Sequence, residues 1–137
     1  MPSRFTGPAP AMEQLYYDRE GCPVSRTQWQ QLGYLPGYSR IARTDIIRYG
    51  RRINVATRWI GIADDIGVAR IFQTYGEVRR RGAPRPSYRR QWEWATLEAA
   101  RTGHQEIADW LTRVATWLAG VTDQMPPPPQ VPSAWTP

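Results

Sequence analysis

The chain has 137 residues, a net charge of +6 and a pI near 10.1, and all 18 of its basic residues are arginine. This length fits one domain with one modest core, and the charge favours polyanionic partners such as nucleic acid or acidic membranes. The one cysteine excludes an internal disulfide framework and a multi-cysteine zinc site, and the one histidine removes most histidine-based metal sites. No apolar run approaches the ~20 residues of a membrane span, so we expect a soluble protein of a reducing compartment.

The 13 prolines concentrate at the two ends, which predicts that the folded part is shorter than the chain. Residues 1–13 have the composition of an extended proline-rich arm, residues 14–121 that of a single α+β domain, and residues 122–137 that of a proline-rich tail. The tail favours polyproline II and carries an isolated Trp135. Either the tail is disordered in the free protein, or it lies on a partner with Trp135 as the anchor.

The first predicted elements are a short aromatic strand over residues 14–17 and a helix of two turns. Ser25 and Gln28 match a capping box, in which the serine caps the helix and the glutamine reaches back to the cap. We expect Gly33 to end this helix. The inward-facing residues are Trp29 and Leu32.

Two hairpins follow. The first joins strands over residues 38–49 and 53–62, and the second joins strands over residues 69–79 and 88–95. Strand 53–62 has apolar residues on both faces, which indicates a central position in the sheet. The connection 80–87 contains two prolines, so it cannot continue a ladder and is predicted to be an exposed arginine loop.

The last predicted element is an amphipathic helix that begins after Thr96 and ends at Gly120. Its apolar residues recur at alternating steps of three and four, which places them on one stripe. Such a helix packed across an antiparallel sheet is the economical fold. We therefore predict the α+β class, with a sheet of four or five strands made of two hairpins and the N-terminal strand. The stripe consists of Leu97, Ala100, His104, Ile107, Leu111, Val114 and Leu118.

Five segments carry a resemblance to a known family. They are YDREG at 17–21, which Pro23 follows, RIART at 40–44, VATRWIG at 55–61, IFQT at 71–74 and WATLEAARTGH at 94–104. Over residues 16–110 the chain resembles small uncharacterised proteins encoded by phages of actinobacteria. The resemblance implies no activity, cofactor or catalytic residue, and it implies the host cytoplasm during infection, or the virion, as the location. A GC-rich phage genome would also account for the missing lysine.

Where the arginines lie is the most informative functional signal. Six of them fall in one strand–loop–strand unit beside Tyr88, Trp92 and Trp94. Such a loop can clamp phosphates while the rings stack on bases, or it can pair with carboxylates of a protein neighbour. The third interpretation is a solvated hairpin tip that only aids solubility. The predicted partner-binding residues are Arg48, Arg51, Arg52, Arg79, Arg80, Arg81, Arg85, Tyr88, Arg89, Arg90 and Trp135.

The remaining reactive residues favour structural roles. His104 lies on the apolar stripe, so it is interpreted as a packed residue with a backbone hydrogen bond rather than a general base. Asp64 and Asp65 could hold a divalent ion with Asp45, but adjacent carboxylates beside a glycine are more typical of a turn. Cys22 has no identifiable histidine base. The sequence therefore predicts no catalytic set, no metal site and no cofactor.

The leading hypothesis is a non-enzymatic phage accessory protein that docks on a larger protein assembly through its arginine-rich hairpin tips and extended arms. A minor capsid or decoration component of the virion would fit, with the capsid or tail as the partner. The alternative is a nucleic-acid or ribonucleoprotein binder that acts on a host process or a host defence. No membrane partner is expected, and the sequence leaves the oligomeric state open.

Overall fold

The computed structural model describes residues 15–63 and 69–129. Parts of the sequence-based predictions lie outside the described residues, namely the N-terminal arm, Asp64, Asp65 and Trp135. None of the described helices is long and apolar enough to cross a membrane. The elements are β1 (Leu15–Tyr17), β2 (Pro23–Val24), α1 (Arg26–Tyr34), β3 (Arg40–Arg48), β4 (Arg51–Ala63), β5 (Ala69–Arg80), β6 (Tyr88–Trp94) and α2 (Leu97–Leu118).

The six strands form one antiparallel sheet in the order β2-β1-β4-β5-β6, and β3 pairs with β4 beside β1. The predicted α+β class and the predicted central position of β4 are confirmed. The sheet has one strand more than the predicted four or five, because the short strand β2 folds back on β1. The turn between them is held by the Asp18 carboxylate, which accepts hydrogen bonds from the N–H groups of Glu20 and Cys22. A two-residue strand is too short to show a periodic pattern.

Helix α1 begins with the predicted capping box. The Ser25 hydroxyl accepts from the Gln28 N–H at 3.1 Å, and the Gln28 side chain accepts from the Ser25 N–H at 2.9 Å. The helix does not end at Gly33 as predicted but continues to Tyr34, and Leu35 caps it in an extended conformation. Pro36 explains this end point, because a residue before proline is excluded from the helical region.

Helix α2 packs across one face of the sheet and contacts β3, β4, β5 and β6. The predicted N-cap is confirmed, since the Thr96 hydroxyl accepts from the Ala99 N–H at 3.1 Å. The predicted apolar stripe is buried at its centre and half-buried at its two ends, Leu97 and Leu118. The core between helix and sheet contains Ile53, Val55, Phe72, Val78, Trp92, Trp94, Ile107, Trp110, Leu111 and Val114.

Candidate docking surface

The tips of the two predicted hairpins meet at one end of the molecule. Strands β4 and β5 pair in antiparallel register from Arg51 opposite Arg80, so the β3–β4 turn and the β5–β6 loop lie side by side. The Arg81 N–H donates a hydrogen bond of 3.0 Å to the Gly50 carbonyl and ties the loop to the turn. We call this surface the basic end, and define it as Arg48, Arg51, Arg52, Arg79, Arg80, Arg81 and Arg85.

Charge is distributed very unevenly between the basic end and the rest of the chain. The basic end and the strand residues that adjoin it lie within residues 43–53 and 76–90. These two segments hold ten arginines and two carboxylates, a surplus of eight positive charges. This surplus exceeds the net charge of +6 of the whole chain. The positive potential of the protein therefore originates at one end of the sheet, where it attracts negatively charged partners.

Several arginines of the basic end lie directly opposite one another across neighbouring strands. Arg51 is opposite both Arg48 on β3 and Arg80 on β5, and Arg52 is opposite Arg79. Like charges in directly opposite positions destabilise a sheet. This repulsion opposes folding, so the concentration of arginines at this end calls for a functional explanation.

One of these arginines is engaged with the end of α2. The Arg51 guanidinium donates a hydrogen bond of 3.1 Å to the carbonyl of Leu118, the last residue of the helix. A positive group at this position satisfies a terminal carbonyl and interacts favourably with the negative end of the helix dipole. Arg51 therefore has a structural role within the predicted binding set.

Two more arginines pair with carboxylates. Arg52 lies 3.4 Å from Asp45, and Arg79 lies 3.3 Å from Glu77. Burial raises the pKa of Glu77, but hydrogen bonds from Tyr75 and Arg79, together with the positive charges of Arg79 and Arg52, hold that pKa below its usual value. The carboxylate therefore stays ionised and keeps Arg79 occupied. The exposed arginines of the basic end that have no carboxylate partner among the described residues are Arg48, Arg80, Arg81 and Arg85.

A groove of about 350 Å³ runs between the two tips. It is lined by Ile47, two glycines and five arginines of the basic end, namely Arg51, Arg52, Arg79, Arg80 and Arg81. Ile47 is 71% exposed, and Tyr49 at the neighbouring turn is 56% exposed. A second groove, of about 570 Å³, contains Arg85 and Arg89 and shares Arg79 with the first. The basic end thus combines free guanidinium groups with exposed apolar side chains, a mixture typical of protein–protein interfaces.

Of the three aromatic residues of β6, Tyr88 alone reaches this surface, where it lines the second groove. Trp92 and Trp94 are buried, and the half-buried Tyr88 ring meets Trp110 edge-on at 5.4 Å. Arg90 lies on the same side, with its guanidinium over the Trp92 ring at 5.6 Å. Strand alternation correctly groups these residues on one face, but α2 covers that face. The predicted stacking of bases on Trp92 and Trp94 does not fit this geometry.

His104 belongs to a buried network of side chains from α2 and the sheet. Its Nε2 lies 2.9 Å from the Thr44 hydroxyl, and its Nδ1 lies 2.7 Å from the Thr57 hydroxyl. The Thr57 hydroxyl contacts that of Thr74 at 2.6 Å, and Thr74 accepts from the Trp94 indole N–H at 2.8 Å. The histidine is packed as predicted, but its partners are threonine hydroxyls rather than a backbone group. The sequence held one sign of this network, because Thr57 is a polar residue on the otherwise apolar face of its strand.

The network contains no carboxylate, and burial lowers the pKa of His104. The imidazole is therefore neutral at pH 7, and each of its ring nitrogens is hydrogen-bonded to a threonine hydroxyl. Cys22 is exposed in the turn before β2. Among the residues that the structure describes, no three His, Cys, Asp or Glu side chains are placed to hold a metal ion.

No protein-family model, no curated protein and no solved structure matches this chain, so the chemistry of its surface carries the functional interpretation.

Proposed function

We propose that this protein is a non-enzymatic binding module that docks through its basic end on an acidic surface of a larger protein assembly. The observation that carries the proposal is a groove that exposes Ile47 and is lined by Arg80 and Arg81, with the exposed Arg48 at the adjoining end of β3. None of these three arginines has a carboxylate partner among the described residues. Guanidinium groups form strong, paired hydrogen bonds with carboxylates. Opposed arginines repel one another in the free protein, and an acidic partner removes that repulsion.

A protein partner is favoured over nucleic acid by the position of the aromatic rings. Proteins that bind single-stranded nucleic acid without sequence preference use exposed aromatic rings on which the bases stack. Here Trp92 and Trp94 are buried under α2. Tyr49 is an exposed ring that either kind of partner can use, but the exposed aliphatic side chain of Ile47 beside the arginines offers contact area that a protein surface can match and a phosphate backbone cannot.

The resemblance to phage proteins suggests the assembly. We place the protein in the host cytoplasm during infection and propose that it joins the virion as a minor capsid or decoration component. The test is mass spectrometry of purified particles, in which the protein should be present at a fixed ratio to the major capsid protein. Its absence from purified particles would rule out the virion role.

Removing the charges of Arg48, Arg80 and Arg81 should weaken docking without affecting the fold. The variant R48Q/R80Q/R81Q should bind purified particles at least about tenfold more weakly, because three charge pairs of about 0.5–1 kcal/mol each are lost. The measurement is co-sedimentation with particles at several salt concentrations. Its matched control is R26Q/R101Q/R113Q, which removes three exposed arginines outside the basic end and should bind as the wild type does. Equal losses in the two variants would contradict a specific role for the basic end.

The same variants also test the alternative partner, which is nucleic acid. Gel-shift titrations with generic DNA and RNA at low salt should show no binding that depends on Arg48, Arg80 and Arg81. If the wild type binds tightly, and the basic-end variant both weakens that binding and lowers its salt dependence, the partner is nucleic acid and the protein-docking proposal is wrong.

A further inference from the structure

The chain reverses direction after α2. Gly120 has a φ of 78°, its N–H bonds to the Trp117 carbonyl at 2.9 Å, and the Val121 N–H bonds to the Thr116 carbonyl at 3.1 Å. These two bonds and the left-handed glycine form a Schellman motif, which satisfies the last carbonyls of the helix. The reversal sends residues 121–129 back beside the helix, so a contact crosses the domain boundary predicted at residue 121.

That contact is made by the indole of Trp110. The ring is fully buried and meets two aromatic rings of β6 edge-on, Tyr88 at 5.4 Å and Trp92 at 6.2 Å. Its N–H donates a hydrogen bond of 3.1 Å to the carbonyl of Pro126. An indole nitrogen can only donate, and a buried donor without a partner is costly. The carbonyl of the C-terminal segment is therefore the acceptor that makes the buried position of Trp110 tolerable.

The segment that supplies this carbonyl has the properties of a polyproline II ligand. Residues 126–129 are four consecutive prolines, which fix φ, lack N–H groups and leave their carbonyls free to accept. Pro126 and Pro129 are half-buried, whereas Pro127 and Pro128 are exposed. Polyproline II has three residues per turn, so the two shielded prolines share one face. Proline-rich ligands are recognised in this way by aromatic-lined grooves.

We propose that Trp110 and Tyr88, on the flank of α2 and β6, form a polyproline-binding site that the chain fills with its own segment 126–129. The site adjoins the basic end, because Tyr88 also lines the groove that contains Arg79 and Arg85. The segment that fills the site belongs to the same chain, because the Trp110 indole N–H donates a hydrogen bond to the Pro126 carbonyl. The consequence is that residues 121–129 return along the flank of α2 and do not continue onward from the end of the helix.

The test detaches the segment in the full-length chain. The variant P126G/P127S/P128G/P129S keeps the chain length and every core side chain, but its flexible segment loses the preformed polyproline conformation. A synthetic peptide of residues 125–137 should bind this variant at least tenfold more tightly than it binds the wild type, whose site is filled. Hydrogen exchange of the Trp110 indole N–H, followed by NMR, should be faster in the variant and should slow when the peptide is added. Equal peptide binding to both proteins, with unchanged indole exchange, would overturn the proposal.

Two control peptides test the predicted face. A peptide with alanine in place of Pro126 and Pro129 should bind more weakly than one with alanine in place of Pro127 and Pro128. Both keep Trp135, so equal binding of the two would mean that the tryptophan alone is responsible and the proposal is wrong. A concentration-dependent dimer of the wild type that the glycine–serine variant lacks would place the segment on a second copy, which would overturn the assignment in cis.

Discussion

Replacing Gly103 with alanine should lower the free energy of unfolding by about 2–3 kcal/mol, the cost of inserting a carbon into a packed core. A Cβ at this position would lie 2.2, 2.4 and 2.8 Å from three carbons of the Trp94 ring. The ring cannot move aside, because it is 2% exposed and its indole N–H is bonded to Thr74. Alanine is the better helix former by about 1 kcal/mol, but that gain is smaller than the cost of the clash. Urea unfolding of the variant and the wild type measures the difference.

Gly33 provides the matched control for this substitution. It also lies in a helix, but a Cβ there would meet only one Trp59 carbon, at the ordinary contact distance of 3.9 Å. The variant G33A should therefore be as stable as the wild type or more stable by about 0.5 kcal/mol, since only helix propensity changes. If G103A and G33A have the same stability, the close approach of α2 to Trp94 is not what requires Gly103.

Side-chain alternation predicted the strands to within two residues, because the period of two is a local property of the chain. Strand β4 begins at Arg51 rather than at the predicted Ile53, since the ladder includes arginines that an apolar pattern does not detect. That the two arginine-rich tips meet was not predictable. Their proximity depends on β4 pairing with β5, and alternation within each strand is the same whether or not the two hairpins are neighbours.

The face of β6 illustrates a second limit of the sequence. Alternation correctly grouped Tyr88 with Trp92 and Trp94, but it did not say whether their face meets solvent or α2. The helix stripe had a similar limit, because the seven predicted positions omit Trp110, which is fully buried. Trp110 lies beside the stripe, and its cover comes from β6 and from the C-terminal segment. A tail that returns to its own helix leaves no periodic pattern, so the sequence showed only an isolated proline run.

The stability of the protein should fall as the pH drops below about 6.5, and His104 should be the cause. Burial lowers the pKa of the imidazole in the folded protein, while the unfolded chain has the ordinary value of about 6.5. Below that value the unfolded state binds more protons than the folded state, which lowers the free energy of unfolding. The stabilising contribution of the neutral His104 is therefore fully present above about pH 6.5. It is then lost progressively as the pH falls toward the lowered folded pKa, by at most about 1.4 kcal/mol per pH unit.

The hydrogen-bond network explains why the folded protein resists this protonation. One arrangement of hydrogens gives every buried hydroxyl an acceptor. In it the Trp94 indole N–H donates to Thr74, the Thr74 hydroxyl donates to Thr57, and the Thr57 hydroxyl donates to Nδ1 of the neutral imidazole. The Nε2–H then donates to Thr44. A proton on Nδ1 would force Thr57 to accept there instead of donating, and one of the two buried hydroxyls, that of Thr57 or that of Thr74, would then have no acceptor in the network. Charging the ring therefore costs a hydrogen bond in addition to desolvation.

The variant H104Q separates this effect from other titrations. Glutamine can both donate and accept but does not titrate, and His104 is the chain's single histidine. We expect H104Q to be less stable than the wild type at pH 7.5, because its shape does not match the site, and the gap should narrow steadily toward pH 5. Chemical unfolding at half-unit steps of pH measures the two curves. Parallel curves over this range would mean that His104 binds its proton equally well in the folded and unfolded states, and the network would then not control its charge.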